Sequence, residues 1–176
     1  LSNPANATLG TNVVHTVTIQ DDDSPPDIDF DLTSSSGDEA NASKAITVNL
    51  SAISSKDVTV DYVVTGTATG SGTDYALADG TLTISAGSTS GTITIENIAD
   101  DSLDEENETV IITLSSPSNA TLGSDNVHTY TITDNDSAPV IDFNITSSSG
   151  VESISSAGLT INLSAASGLN VTIDYV

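Results

Sequence analysis

The stretch from Ala99 to Thr109, ADDSLDEENET, carries six carboxylates in the nine residues between Asp100 and Glu108, in a chain otherwise rich in Thr, Val and Ile. Acids in such a pattern can do two kinds of chemistry. A pair can act as general acid and base on a glycosidic bond, and a cluster can hold a divalent cation. Bringing two carboxylates to ~4 Å costs about 1 kcal/mol in water and about 4 kcal/mol at an effective dielectric of 20. A site with more than two must splay, protonate some of them, or take up a cation. The chain has no Cys, so any metal would be held by oxygen, which favours calcium or magnesium. Calcium accepts about 6 to 8 oxygens in flexible geometry, whereas magnesium demands an octahedron and keeps its waters. Further acids fall in other gaps between apolar runs: Glu39, Asp74 in GSGTDYA, and Asp134 to Asp136 around Asn135.

The elements that must position these acids read as strands. Apolar residues alternate with Thr, Ser, Asn or Asp in DIDFDLT (27–33), AITVNLS (45–51), VTVDYVV (58–64), TLTIS (81–85), GTITIENI (91–98), TVIITLS (109–115) and HTYTIT (128–133). Period-two alternation predicts half-buried strands, and no stretch carries a 3.6-residue apolar stripe. Seven antiparallel strands in about a hundred residues predict an all-β, immunoglobulin-like two-sheet sandwich without the Cys and Trp hallmarks of antibody domains. Adjacent antiparallel strands alternate direction, so the loops after the first, third, fifth and seventh strands can meet at one pole; the acids follow that parity imperfectly, with the fifth-to-sixth connection and the tail of the seventh strand sharing a pole.

The chain also repeats itself. Leu1 to Val63 aligns without a gap on Leu114 to Val176, a period of 113, with 38 identical residues in 63 pairs. LSNPANATLGTNVVHTVTIQDDDSPPDIDF returns as LSSPSNATLGSDNVHTYTITDNDSAPVIDF. The proline-bearing joints near Ser24 and Ser137 divide the chain into residues 1–23, the last strand of a preceding repeat; 24–136, one complete repeat; and 137–176, the first part of a following one.

Composition narrows the partners. Twenty-five Asp and Glu stand against Lys44 and Lys56 alone, a formal charge of −23, which repels phosphate and anionic lipid; nucleic acid and direct membrane insertion are excluded as expectations. No run reaches the ~18 apolar residues of a membrane span, and no charged-then-apolar start resembles a signal peptide, so a targeting signal for a secreted protein is expected outside this stretch. A hydrophobic content of 36% suffices for a core.

The residues from VTVDYVVTGTATGSGTDY through GTLTISAGSTSGTITIENIADDSLDEENETVIITLSSPSNATLG to TYTITDND resemble the Calx-β domain, a repeat found in the regulatory loop of sodium/calcium exchangers, in integrin β4 and in tandem arrays of bacterial surface proteins. The resemblance spans the complete repeat. It implies a cluster of calcium ions at one end of the sandwich and matches individual positions: Glu39 after the first strand, Asp74 in the Gly-rich loop, Asp100 and Asp101 closing the fifth strand, Leu103 through a backbone carbonyl, Glu105 and Glu108 further along that loop, and Asp134 and Asp136 in the terminal run. Asn135 departs from the Asp often found there, which implies one charge fewer and weaker binding. Asp104 and Glu106 have no matched role and are expected to face solvent.

Blander readings stand beside this one. The acidic loop alone is equally a solvated, solubilising surface. His15 and His128 share one repeat position at the start of the last strand and, with no second His or Cys nearby, read as ordinary strand residues. Phe30, Tyr62, Tyr75 and Tyr130 read as packing rather than a sugar-stacking platform. TGTATGSGT (65–73) lacks the Lys and following helix of a phosphate loop. The carboxylates lie on exposed loops without a cleft, and no Ser is accompanied by His and an acid at nucleophile-like positions, so the chain is expected not to be an enzyme. The expectation is a calcium-binding structural repeat of an extracellular bacterial adhesin or filament, stiffened by Ca2+ at the interdomain end, with neighbouring repeats of the same chain as its partners. A calcium-sensing module of a transporter or enzyme remains the rival, as does a subunit that exchanges strands with other copies in a surface polymer.

Overall fold

The computed structural model describes all residues 1–176 and contains no helix, hence none long and apolar enough to cross a membrane. The central repeat is a sandwich of two sheets. One sheet has the order β6 (Ser90–Glu96), β3 (Ser43–Leu50), β1 (Asp27–Phe30), β8 (Thr121–Leu122). The other has the order β2 (Ser34–Asp38), β9 (Val127–Thr133), β7 (Glu108–Ser118), β4 (Val58–Gly66), β5 (Gly80–Ile84). Alternation in the sequence becomes alternation in burial: Ile46, Val48 and Leu50 of β3, Ile93 and Ile95 of β6, Val110, Ile112 and Leu114 of β7, and Tyr130 and Ile132 of β9 all point into one core cluster shared by both sheets. Phe30, Tyr75 and Tyr130 are buried and Tyr62 packs at the edge of the same core.

The repeat has nine strands rather than the seven expected. The difference lies chiefly in residues 27–38. The sequence pattern predicts one strand from Asp27 to Thr33, yet the chain leaves the first sheet after Phe30 and enters the second at Ser34 as β2. His128 fixes this crossing. Its Nδ1 lies 2.5 Å from the Leu32 carbonyl, its Nε2 lies 2.9 Å from Ser35 Oγ, and its ring packs 5.5 Å from that of Phe30. An ordinary-looking strand residue is thus a buried clamp. The crossing makes β2 pair parallel to β9, with Asp38 opposite Thr133, so both strands leave the sandwich at the same pole. The other added strand, β8, is a two-residue parallel pairing of Thr121 and Leu122 with Asp27 and Ile28.

Residues 1–23 form no strand, although the repeat predicts the counterpart of β9 there. In the central repeat β9 is hydrogen-bonded between β2 and β7; the first segment has neither neighbour, and His15 is exposed where His128 is buried. Residues 137–176 keep more of the pattern. β10 (Ile141–Phe143) pairs with β11 (Ile161–Leu163) as Ile141↔Leu163 and Phe143↔Ile161, the β1–β3 register Ile28↔Leu50 and Phe30↔Val48 displaced by one repeat. The side-chain bond from Asn49 Nδ2 to Asp31 recurs from Asn162 Nδ2 to Asn144. The core-facing residues of this hairpin are uncovered: Phe143 is 54% exposed where Phe30 is 3%.

Candidate metal centre

Four connections converge at the pole where β2, β4, β6 and β9 end. Glu39 follows β2, Asp74 sits in the β4–β5 loop, Asp100 to Glu108 join β6 to β7, and Asp134 to Asp136 follow β9. Each connection is held by its own local bonds. Asn97, in the left-handed conformation (φ 51°), turns the chain out of β6. The Asp74 carboxylate accepts the Thr69 N–H at 2.5 Å, and its carbonyl accepts Ala99 N–H at 2.9 Å, tying the Gly-rich loop to the start of the acidic one. Gly66, at φ +137°, lies against the Thr109 carbonyl, and Thr67 and Thr109 exchange N–H to hydroxyl bonds of 3.2 and 2.8 Å.

The tightest group is Glu39, Asp134 and Asp136, whose carboxylate oxygens lie within 4.8 Å of one another. Glu39 is only 8% exposed and its Oε1 accepts the Asn135 N–H at 3.4 Å. Asp134 accepts N–H groups from Glu105 and Asp136, each at 3.1 Å, and its own N–H donates to Asn107 Oδ1 at 3.0 Å. Asp136 Oδ2 is buried with no hydrogen-bond partner. Asp100 joins through Asn135, whose Nδ2 donates to both Asp100 and Asp38 at 3.0 Å. Asp101 accepts the Leu103 N–H at 2.7 Å, which places half-buried Leu103 inside the loop beside the acids.

Charge crowding ties the remaining acids to this group. Desolvation first, then the charges of Asp101, Asp74, Asp134 and Asp136, raise the Glu105 pKa. Glu108 is raised by desolvation, then by Asp74 and Glu105. Glu39 is raised by desolvation, opposed by the Asn135 N–H and reinforced by Asp134 and Asp136; Asp136 is raised by desolvation and then by Asp134, Asp100, Asp101 and Asp104. Asp134 alone goes down, because the N–H groups of Glu105 and Asp136 favour its anion. Glu39, Asp134 and Asp136 thus lie together, with Asp100 tied to them through Asn135 and Glu105 through its N–H, while Asp74, Asp101 and Glu108 sit on the adjoining loops of the same pole.

Three features differ from the sequence reading. Asp104 does not face solvent; it is half-buried and accepts hydrogen bonds from Ser167 and Gly168. Asn135 is a cross-brace between Asp38 and Asp100, a role that an Asp there, having no N–H to donate, cannot fill. Asn107 and Asp38 support the cluster, and the sequence pattern does not mark them. Their proximity to Glu108 and Glu39 in sequence was the available signal, but only the fold aims their side chains.

The donor set fits an oxygen-loving cation: it is made of carboxylates and carbonyls alone, one buried oxygen lacks a partner, and no Lys or Arg occurs in 97–108 or 134–136. The Calx-beta domain profile matches residues 21–136, more than half of the chain. The apo form of the Calx CBD1 domain is similar in structure with TM-score 0.58 and 27% identity, over 64% of this chain and 100% of that one. The calcium binding domain CBD12 of CALX1.1 matches with TM-score 0.57 and 28% identity over 70% of this chain, and CBD12 of CALX1.2 with 0.57 and 26% over 67%. This chain spans about half the length of those two structures, 54% and 48%. A comparison with curated proteins returned no match. The all-β sandwich, the convergent acidic pole and the profile match together place the chain in the Calx-beta domain family.

Proposed function

We propose that the chain is a calcium-binding structural segment of an extracellular surface protein, built of tandem repeats whose acidic poles stiffen the joints between them. The observation that carries this reading is the Glu39–Asp134–Asp136 group, three carboxylates within 4.8 Å with one buried oxygen unpartnered. Calcium, when bound, supplies the positive charge that this group lacks. Glu39, Asp100, Asp101, Asp134 and Asp136 would hold it, with Asp74, Glu105, Glu108 and the Leu103 carbonyl completing the pole. Asn107, Asn135 and the backbone N–H groups of Glu105 and Asp136 orient these carboxylates before any ion arrives. Asp134 to Asp136 leave β9 directly into the joint before β10, so ordering them restricts the angle to the next unit.

The likeness to a calcium binding domain supports the ion's identity. The 113-residue repetition supports a spacer over a sensor, because a sensor needs few copies whereas a stalk needs many. Extracellular calcium modules bind at about 10⁻⁴ to 10⁻³ M. Titration calorimetry of the chain with calcium should register uptake in that range, and the double substitution Asp100→Asn with Asp101→Asn should lower stoichiometry and melting temperature together. No heat at millimolar calcium would refute the assignment.

A further inference from the structure

One peptide group at the acidic pole is bonded at both ends, to different repeats. The carbonyl of Asp104 accepts the Gly168 N–H at 3.1 Å, while the N–H on the other side of that same peptide, from Glu105, donates to the Asp134 carboxylate at 3.1 Å. Ser167 Oγ adds bonds of 3.4 Å to both the carbonyl and the carboxylate of Asp104, and Asp104 and Ser167 form a parallel bridge. Ser167 and Gly168 belong to the following repeat. They stand 113 residues after Ser54 and Ser55, in the loop that leads from β3 to β4. Gly168 lies against the Glu105 side chain, which would have to shift for a side chain at 168.

The other end of the chain carries a related juxtaposition. Ser54, Ser55 and Lys56 of the central repeat line a cleft with Asp21 and Asp23. Those two acids are the repeat equivalents of Asp134 and Asp136. In both places the β3–β4 loop of one unit lies against acids of the unit before it: the β6–β7 loop from Asp104 to Glu108 in one, the closing Asp21 and Asp23 in the other.

We propose that successive repeats join through this seam, with the peptide between Asp104 and Glu105 as the coupler between the acidic pole of one unit and the β3–β4 loop of the next. Docking of the loop fixes the direction of the Asp104–Glu105 peptide, and that peptide in turn holds Asp134 through its N–H. The residue at the third position of the loop sets the character of each joint. Leu169 brings no charge to the cleft it shares with Glu105 and Glu108, so those carboxylates gain no neutralisation from the following unit although the hydrogen bonds of the joint are in place. Lys56, at the same position, lines a cleft with Asp21 and Asp23 and adds one positive charge to that joint. The seam stands on hydrogen bonds and does not require the calcium reading; its coupling to ion uptake rests on that reading.

The chain has no Cys, so Asp104→Cys with Ser167→Cys creates the only thiol pair, at positions within disulfide reach when bridged. Under mild oxidation in chelator this pair should close at least about tenfold faster than a control pair, Asp104→Cys with Ser88→Cys, whose second position lies in the β5–β6 turn at the opposite pole. Equal rates would overturn the seam. Gly168→Pro removes the N–H that Asp104 accepts, whereas Gly168→Ala adds a side chain beside Glu105 but keeps that N–H, so in the full chain the proline variant should show a calcium dissociation constant about 2- to 10-fold above that of the alanine variant, with the central repeat's melting transition retained in both. Equal constants in the two variants would overturn the coupling. Absence of calcium uptake by the unsubstituted chain, with fast closure of the thiol pair, would refute the calcium assignment and leave the seam standing.

Discussion

At the scale of residues, the pole is defined by carboxylates that oppose one another more than anything nearby relieves them. Glu39 combines near-complete burial with two close acids, and its Oε1 accepts the amide N–H of Asn135. Glu39→Gln keeps that acceptor and removes a charge. In chelator the substitution should raise the melting temperature by about 2–4 °C, corresponding to ~1 kcal/mol of relieved repulsion, while weakening calcium uptake in calorimetry. Opposite signs in the two conditions separate a chelating cluster from a merely solvated one. The same crowding sets the pH dependence. Glu39, Glu105 and Glu108 are raised above 4.5 in the folded chain, so the stability they contribute is complete below that value and is lost as pH rises through their raised folded values. Asp134, lowered from 3.8, acts in the other sense only at more acid pH. In chelator, acidification from neutral pH toward 4.5 should therefore raise the melting temperature, and in millimolar calcium, where the ligands must be ionised, it should lower it.

At the scale of elements, identical residues in successive repeats have different worth because their neighbours differ. Phe30 packs in the closed core and Phe143, its counterpart in β10, is half uncovered although the hairpin register is the same. Phe30→Ala should cost about 3–5 kcal/mol in denaturant unfolding, and Phe143→Ala less than about 1 kcal/mol. Similar losses at both positions would mean that the β10–β11 hairpin buries its apolar face as β1 and β3 do. Gly66 is held by backbone rather than packing: its φ of +137° and the adjoining Thr109 carbonyl leave no place for a Cβ. Gly66→Ala should destabilise by roughly 2 kcal/mol or more and disturb the Thr67–Thr109 tie that anchors the loop carrying Asp74.

At the scale of the whole molecule, a string of sandwiches is stiff only if its joints are. The acids of 134–136, the loop 104–108 and the following unit's residues 167–169 all gather at one joint. Small-angle scattering of the chain should show a narrower and longer distance distribution with calcium than with chelator. An unchanged distribution would remove the stiffening role without touching ion binding. The net charge of −23 works in the same direction, since self-repulsion between poles resists collapse and is screened by salt.

Much of this was legible in the residues. Period-two alternation marked β3, β4, β6, β7 and β9 and their buried faces, because a strand exposed on one side must alternate; the acids stood out because nothing in a sandwich core needs them. The 113-residue repeat was visible by eye, and its structural echo is the shared register of β1–β3 and β10–β11. Local pattern could not reveal that the chain changes sheets between Phe30 and Ser34, since nothing in 31–33 announces it and the His128 clamp comes from about 96 residues away. That crossing makes β2 run beside β9, and so carries buried Glu39 to Asp134 and Asp136. Nor could it reveal that Asp104 turns from solvent toward Ser167. Composition and periodicity determined that there would be a sandwich with acidic loops; only the tertiary structure decided which oxygens share a point in space, because that depends on contacts between residues far apart in the chain.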